Sequence, residues 1–183
     1  MTERESHTVS IGDVERQLPL FEVAPGVRIA VFNLLGDTEV VEAAARELAD
    51  KLGGLEHDAL VTAETKSVPL VYELARLLGK PWVVLRKAYK PYMGETISDE
   101  THSITTGAAQ TLHLDEKDRD LVGGRRVVLV DDVISTGSTV EAMRRLMERA
   151  GADVVAEAAV FTEGDAEETR DAITLGHLPL FES

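Results

Sequence analysis

Two adjacent carboxylates followed by small hydroxyl residues give the strongest chemical signal in this sequence. Asp131 and Asp132 end an apolar segment that begins at Val127. The residues that follow closely are Ser135, Thr136, Gly137, Ser138 and Thr139. Small side chains let backbone N–H groups approach an anion, hydroxyls donate further hydrogen bonds, and a helix starting here adds partial positive charge. Carboxylates accept hydrogen bonds from a sugar diol or lie beside a divalent cation, so the whole segment suits a ribose that carries a phosphate.

A plain strand-to-helix turn, with a Ser or Thr cap and acidic neighbours, is the structural alternative for this segment. Such a turn does not require two carboxylates and four hydroxyl residues. A Walker-type phosphate loop is excluded because the Gly-Lys-Ser/Thr sequence is missing. A receiver domain also has paired aspartates after a strand, but it leaves the Ser-Thr-Gly-Ser-Thr run without a role. The phosphate-binding interpretation is therefore preferred.

With its flanking strand and helix, the segment resembles the 5-phosphoribosyl-1-pyrophosphate (PRPP) binding motif of type I phosphoribosyltransferases. The resemblance implies that Asp131 and Asp132 bind the ribose hydroxyls and that Ser135–Thr139 hold the 5′-phosphate. It also implies that Val133 lies against the nucleobase. The resemblance covers about residues 40–161 and is nearest to adenine phosphoribosyltransferases and the archaeal hypoxanthine/guanine subfamily related to them.

A second loop, from Thr62 to Pro69, resembles the pyrophosphate loop of the same family, where a strained backbone and a basic side chain meet the leaving group. The residues implied to contact pyrophosphate here are Glu64, Thr65, Lys66 and Ser67. Many relatives have glycine at the position of Ser67, which leaves the geometry of the loop open. For Lys66, the alternative is a solvated surface lysine.

A local inversion of charge follows this loop. Residues 74–94 include five basic residues and no acid, in a chain of net charge −14. A concentrated positive field suits a substrate with several phosphate charges, and a solvated run of charges is the alternative. The residues that the resemblance adds to the pyrophosphate site are Arg86, Lys87 and Lys90. The polar stretch Pro91–Thr106 is expected to be a mobile lid, since a long segment without evident structure is typical of a functional loop.

The elements that must position these residues follow from hydrophobic periodicity. The predicted strands are residues 58–63, 82–85, 110–114, 126–131 and 154–161, and the predicted helices are residues 40–52, 69–78 and 139–150. Strands alternating with helices predict an α/β fold with a parallel sheet flanked by helices, in which ligands bind beyond the carboxyl ends of the strands. The loops after Ala63, Leu85 and Asp131 are therefore expected to meet at one edge, as the type I phosphoribosyltransferase fold implies.

The chain ends are expected to form a small hood over the base. A length of 183 residues suits a single domain, with a core at about residues 37–165 and a hood at about residues 15–36 and 170–183. The sequence Leu-Pro-Leu-Phe occurs at residues 18–21 and again at 178–181. Coincidence is the favoured explanation, and the alternative is that both ends fold into one subdomain.

Two further residues are candidates for base binding. Asn33 can donate and accept at a purine edge, or it caps the helix that begins near Asp37. Phe161 can stack on a purine or belong to the core. The residue type alone leaves both roles open for Asn33 and for Phe161.

Composition excludes several classes of protein. A net charge of −14 disfavours nucleic acid and anionic membranes as partners. The absence of cysteine excludes disulfides and thiolate chemistry, and no apolar run approaches the ~20 residues of a membrane span. A cytoplasmic location is the default expectation. The acidic surface is typical of proteins that work in high salt, although it also serves solubility. The histidines without metal-ligand spacing are His7, His57, His102, His113 and His177.

The resemblance implies a purine salvage enzyme that transfers the ribosyl 5-phosphate of PRPP to a purine and releases pyrophosphate. The implied catalytic residues are Asp131, Asp132, Lys66, Arg86 and Lys87. Mg²⁺ would be held by substrate and water, with no direct protein ligands, and the enzyme is expected to be a homodimer.

The base stays open between hypoxanthine/guanine and adenine. Ser135 stands where some hypoxanthine/guanine enzymes have an aspartate general base. The sequence Phe161-Thr162-Glu163 stands where those enzymes tend to have a lysine that reads the purine 6-oxygen. The alternative function is a PRPP-binding regulator without catalysis. A short acidic segment before the core, with no helix-turn-helix pattern, disfavours such a regulator.

Overall fold

The computed structural model describes residues 5–102, 109–164 and 171–182. The strands are β1 (Ser6–Ile11), β2 (Val14–Ala24), β3 (Val27–Ala30), β4 (Ala59–Ala63), β5 (Trp82–Leu85), β6 (Ile97–His102), β7 (Ala109–Leu114), β8 (Arg126–Ile134), β9 (Asp153–Glu163), β10 (Ile173–Leu178) and β11 (Phe181–Glu182). The α-helices are α1 (Thr38–Leu52), α2 (Val68–Leu78), α3 (Arg119–Val122) and α4 (Ser138–Arg149). Among these residues, no helix is long and apolar enough to cross a membrane.

A five-stranded sheet in the order β10-β9-β8-β4-β5 forms the centre of the molecule. All of its neighbouring strands pair in parallel. One face packs against α1 and α2, and the other packs against α4 and the buried side of β7. The central strands are apolar because both faces are covered: all five residues of β4 are buried. This arrangement confirms the predicted α/β fold with helices on both sides of a parallel sheet.

One edge strand of the sheet was assigned wrongly. Residues 170–183 were expected in the hood, but β10 extends the core sheet and pairs with β9 from Ile173↔Ala158 to Leu178↔Glu163. Five of its six residues are at least partly exposed, so it lacks the apolar run that marks a central strand. Gly176 lets it approach closely, since an added Cβ would lie 3.1 Å from the Phe161 ring.

Both ends of the chain contribute to a separate antiparallel sheet in the order β1-β2-β3-β11. It starts at Ser6, earlier than the hood boundary expected near residue 15. Its inner side, including Val9, Ile11 and Leu20, joins the same apolar cluster as α1. The first Leu-Pro-Leu-Phe copy lies in β2, and the second ends at Phe181, which pairs with Arg28 of β3. Only Phe181 of the second copy lies in this sheet, because Leu178 pairs with Glu163 in the core sheet, so the two copies do not pair with each other.

The stretch expected to be a lid without regular structure contains a strand instead. β6 pairs with β7 in an antiparallel ribbon, from Ile97↔Leu114 to His102↔Ala109. Residues 103–108 of the expected lid lie outside the described residues. The ribbon is tied to α4, because Arg145 Nε donates to an Asp99 carboxylate oxygen at 3.0 Å and Arg149 donates to the carbonyl of Ser98. At its base, Gly94 has φ +65°, and an added Cβ would lie 1.8 Å from Glu116 Oε2, so glycine is required there.

The helices begin where the sequence supplies the right first residue. Asp37 caps α1, accepting from the backbone N–H of Val40 at 3.2 Å, and it also pairs with Arg16 at 2.7 Å. Pro69 lies in the first turn of α2, where its missing N–H costs nothing. Gly79, with φ +63°, ends α2 in the left-handed region.

Candidate functional site

Three loops meet at the carboxyl edge of the core sheet. They follow β4, β5 and β8, which are adjacent in the sheet. Ala63 pairs with Leu85, so the loops after β4 and β5 begin at the same height, whereas β8 continues past its pairing of Val130 with Thr62 and ends at Ile134. The predicted meeting of these loops is thus the arrangement found in the structure.

The aspartate pair lies in β8, near its carboxyl end and beside the loop after β4. Asp131 Oδ1 accepts hydrogen bonds from Ser67 Oγ at 2.8 Å and from the backbone N–H of Asp132 at 2.9 Å. Burial, followed by the neighbouring Asp132 carboxylate, raises the pKa of Asp131 to about 7. Asp132 is 8% exposed, and its buried Oδ2 has no hydrogen-bond donor among the described residues. Two close carboxylates with spare acceptor capacity suit the hydroxyls of a sugar diol.

The residues expected to hold the phosphate form a concave turn at the start of α4. The pocket lining runs from Ser135 through Thr139 and continues to Asp131 and Val133 on one side. Gly137 has φ +74° and immediately precedes α4, so the chain turns there in a conformation that favours glycine. Thr136 Oγ1 donates to Ser138 Oγ at 3.2 Å. The first turn of α4 therefore borders an opening lined by hydroxyls, which is a favourable place for an anion.

The loop after β4 presents one cation to the aspartates. Lys66 is 56% exposed, and its Nζ lies 4.0 Å from Asp132 Oδ2. The peptide bond between Glu64 and Thr65 is cis. Ser67 is only 2% exposed, and its hydroxyl serves Asp131. The Ser67 side chain thus supports the aspartate pair, and the expected contact of Ser67 with pyrophosphate stays a prediction.

Only part of the basic segment lies at this edge. Arg86, Lys87 and the exposed Lys90 follow β5. Arg76 instead pairs with Glu73 on α2 at 2.7 Å, and Lys80 lies at the opposite edge of the sheet, beside Asp58 and Arg126. The local positive field thus comes from three of the five basic residues in the segment.

Glu64 was expected to contact pyrophosphate, but its carboxylate is engaged by the neighbouring loop. Arg86 Nε donates to Glu64 Oε1, and the backbone N–H of Lys87 donates to Oε2 at 2.9 Å. Both carboxylate oxygens of Glu64 thus accept hydrogen bonds from the protein. It is therefore a neighbour of the cations rather than a ligand of an anion.

The candidates for base binding are less closely grouped. Val133 is partly buried at the end of β8, where it pairs with Phe161. Phe161 is 3% exposed and meets Phe32 edge to face at 4.9 Å between ring centroids, so it belongs to the core. Asn33 is exposed, and its Oδ1 accepts from the backbone N–H of Leu35 at 3.2 Å. The alternative role of Asn33 as the cap of α1 is wrong because Asp37 fills that position.

Two features of the site were not foreseen. Arg86 exchanges backbone hydrogen bonds with His113 of β7 at 2.9 and 2.8 Å, which joins the ribbon to the pyrophosphate loops. Glu163, at the end of β9, is partly buried, and burial raises its pKa, while the charge of Lys66 opposes this. Neither the pairing of Arg86 with His113 nor the proximity of Glu163 to Lys66 can be predicted from residue spacing, since the partners are far apart in sequence.

No group of three or more His, Asp or Glu side chains that could hold a metal ion occurs in the part of the chain that the structure describes. His7 packs on Phe181, His57 bonds the Leu55 carbonyl, and His177 meets Thr162. Burial lowers the pKa of His113. The side chain of His102 lies outside the described residues.

Comparisons with known proteins point to one family. Residues 35–176 match the model of the phosphoribosyl transferase domain family. The adenine phosphoribosyltransferase of Agathobacter rectalis is 33% identical over 147 residues, covering 80% of this chain and 81% of that enzyme. The hypoxanthine/guanine phosphoribosyltransferase of Methanobacterium lacus is 32% identical over 131 residues, covering 72% of this chain and 65% of that enzyme.

A regulator is also similar to this chain. The purine biosynthesis transcriptional repressor PurR of Bacillus subtilis is 28% identical over 165 residues, covering 87% of this chain but only 57% of the repressor.

A solved structure shows the same fold over nearly the full length. The adenine phosphoribosyltransferase of Rhodothermus marinus superposes with a TM-score of 0.66 at 25% identity, covering 94% of each chain. The family match covers most of the chain, including all three loops at the carboxyl edge. The chain therefore belongs to the phosphoribosyltransferase family.

Proposed function

We propose that this protein is a purine phosphoribosyltransferase of nucleotide salvage. The observation that carries the proposal is the convergence of three loops at one sheet edge. An aspartate pair lies there between a hydroxyl-lined helix start and a group of cations. A ribose with a phosphate at one end and a pyrophosphate at the other requires these three sites in that order.

In the proposed reaction, a purine ring nitrogen forms a bond to C1 of the ribose, and its proton passes to the released pyrophosphate or to water. The bond from C1 to the pyrophosphate oxygen breaks, and its electron pair leaves with pyrophosphate. Asp131 and Asp132 hold the ribose hydroxyls, and Ser135–Thr139 hold the 5′-phosphate. Lys66, Arg86 and Lys87 stabilise the charge that develops on the leaving group. Thr65 and Lys90 complete the pyrophosphate contacts.

Mg²⁺ fits this site as a partner of the substrate. Asp132 Oδ2 is the observation in favour, since it is a buried carboxylate oxygen without a donor among the described residues. Hard oxygen ligands from one or two carboxylates plus phosphates are the usual Mg²⁺ environment. Asp131 and Asp132 would hold the ion through water and the ribose hydroxyls, without direct ligation, and its chemistry would be to neutralise charge on pyrophosphate.

Adenine is the base that we infer, with hypoxanthine and guanine as competitors. Glu163 is the last residue of β9, next to the strand that carries Val133. An ionised carboxylate accepts hydrogen bonds, which suits the exocyclic amine of adenine better than the 6-oxygen of the other two. The name of the Agathobacter relative points the same way. Val133 and Asn33 complete the proposed base site, and Phe161 supports it from the core.

A PRPP-binding regulator is the second candidate, and the similarity to PurR is the observation that favours it. Lys66 and Arg86, which a non-catalytic protein does not need for pyrophosphate release, are both present at the edge. The expected homodimer and cytoplasmic location stay predictions in either case.

The decisive experiment measures PRPP-dependent nucleotide formation with adenine, hypoxanthine, guanine and xanthine. We expect the highest kcat/KM with adenine. Binding of PRPP without turnover of any base would favour the regulator, and a protein that binds neither PRPP nor pyrophosphate would contradict both candidates. Glu163→Gln serves as the specificity control, since a preference that it leaves unchanged would exclude Glu163 from the base site.

A further inference from the structure

Glu64 joins two of the loops at the carboxyl edge. It is the first residue after β4, and its backbone N–H donates to the carbonyl of Leu85 at 3.0 Å. Its side chain then reaches across to the loop after β5, where one oxygen accepts from Arg86 Nε and the other from the Lys87 N–H. The Glu64 and Arg86 side chains are 25% and 34% exposed, so water only partly screens this ion pair.

The Glu64 carboxylate is unsuited to direct contact with pyrophosphate. Both molecules are anions, and the two Glu64 oxygens already accept hydrogen bonds from the protein. The guanidinium offers five N–H donors in a fixed plane. Because Glu64 takes the Nε donor, the two terminal nitrogens of Arg86 are left for other acceptors. The Arg86 side chain also hydrogen-bonds Tyr92, so a pyrophosphate with two matching phosphate oxygens would compete with Tyr92 for these donors.

We propose that Glu64 is a positioning residue that orients Arg86 for pyrophosphate; the proposal rests on the function proposed above. The backbone of Arg86 is already fixed by its exchange of hydrogen bonds with His113. Its long side chain still has rotamer freedom, which the ion pair with Glu64 restricts. Glu64 thereby lowers the entropy that must be lost when Arg86 binds the leaving group.

Simple electrostatics makes the opposite prediction. Removing a negative charge next to an anion site should tighten anion binding. Loss of positioning should weaken it. The sign of the change in pyrophosphate affinity therefore separates the two effects.

The test is calorimetric titration of the full chain with inorganic pyrophosphate in the presence of Mg²⁺, together with kcat and KM for PRPP. In Glu64→Gln we expect pyrophosphate to bind about tenfold more weakly, since a charge-assisted hydrogen bond is weakened. KM for PRPP should rise with it. Glu73→Gln is the matched control, because Glu73 pairs with Arg76 Nε at 2.9 Å on α2 and its loss changes the net charge equally. Its pyrophosphate affinity should equal that of the wild type.

A double-mutant cycle with Arg86→Met tests whether Glu64 acts through Arg86. In the Arg86→Met background, Glu64→Gln should change the affinity by less than twofold. A full tenfold loss in that background, or a Glu64→Gln variant that binds as tightly as Glu73→Gln, would overturn the positioning role while leaving the proposed function intact. A wild-type protein that binds neither pyrophosphate nor PRPP would instead overturn the proposed function. Melting temperatures of all variants identify any loss due to unfolding.

Discussion

Replacing Asp131 by asparagine should stabilise the free protein and remove most of its activity. The pKa of Asp131 is raised from 3.8 to about 7, first by burial and then by Asp132. Between these two values the folded protein keeps a proton that the unfolded chain releases. The free energy of unfolding therefore falls as the pH rises from about 4 to about 7, and this part of the stability is absent above that range.

The size of the effect follows from the same values. One pKa unit corresponds to about 1.4 kcal/mol, so the full shift would be worth ~4 kcal/mol at alkaline pH. Asp131 keeps some contact with water, so we expect roughly half of this, ~2 kcal/mol. For a domain of this length that is a rise in melting temperature of about 4–8 °C. Asparagine keeps an amide oxygen to accept from Ser67 and from the Asp132 N–H, so the local structure should survive.

The assay is urea denaturation of wild type and Asp131→Asn at pH 5 and pH 8, with turnover measured in parallel. The variant's advantage should be much larger at pH 8 than at pH 5, and turnover should fall by at least a hundredfold, as roughly expected for lost charge-assisted contacts to the sugar. Asp13→Asn is the control, since Asp13 is exposed and the change in net charge is the same. A variant that is less stable than wild type at pH 8, or an advantage that does not depend on pH, would refute the reasoning about the aspartate pair.

Three further outcomes are expected. Activity should require millimolar Mg²⁺ or Mn²⁺, because the described residues hold no cluster of three metal-ligating side chains. Full activity after exhaustive chelation would contradict this. The melting temperature should be higher in 1 M KCl than at low salt. The acidic groups behind the net charge of −14 repel one another, and 1 M salt screens this repulsion beyond a Debye length of ~3 Å. An unchanged melting temperature would count against adaptation to high salt. Asn33→Ala should change kcat/KM unequally among the purines, since an unpaired polar contact discriminates between bases; an equal small loss for every base would show that Asn33 does not read the base.

The core sheet could be predicted from sequence because its strands are buried on both faces. Strands β4, β5 and β8 appear as short apolar runs, and Asp131 marks the end of the apolar run in β8, although the strand itself continues to Ile134. Once a parallel sheet is inferred, the carboxyl edge and its three loops follow from topology alone. The positions of Asp131, Lys66 and Arg86 were therefore accessible without a structure.

The missed features depend on partners that are distant in sequence. The polar strand β6 is stabilised by pairing with β7 and by Arg145 of α4, and neither interaction leaves a pattern in Ile97–His102 itself. The hydrogen bond from Ser67 to Asp131 spans 64 residues. Glu64 illustrates the same limit: its place in the loop was predicted, but its orientation toward Arg86 depends on which neighbouring strand lies beside β4.

The pairing of β3 with β11 has a consequence for protein synthesis. Phe181 lies opposite Arg28, so the outer strand of this sheet is added only when the segment around Phe181 has left the ribosome. While the whole core is translated, the edge of β3 that later pairs with β11 stays open. Such non-local contacts form late in folding, and domains generally fold as units. This sheet is therefore completed only after the core has been synthesised. Truncation before Phe181 should leave a chain whose core can form while that sheet keeps an unpaired edge.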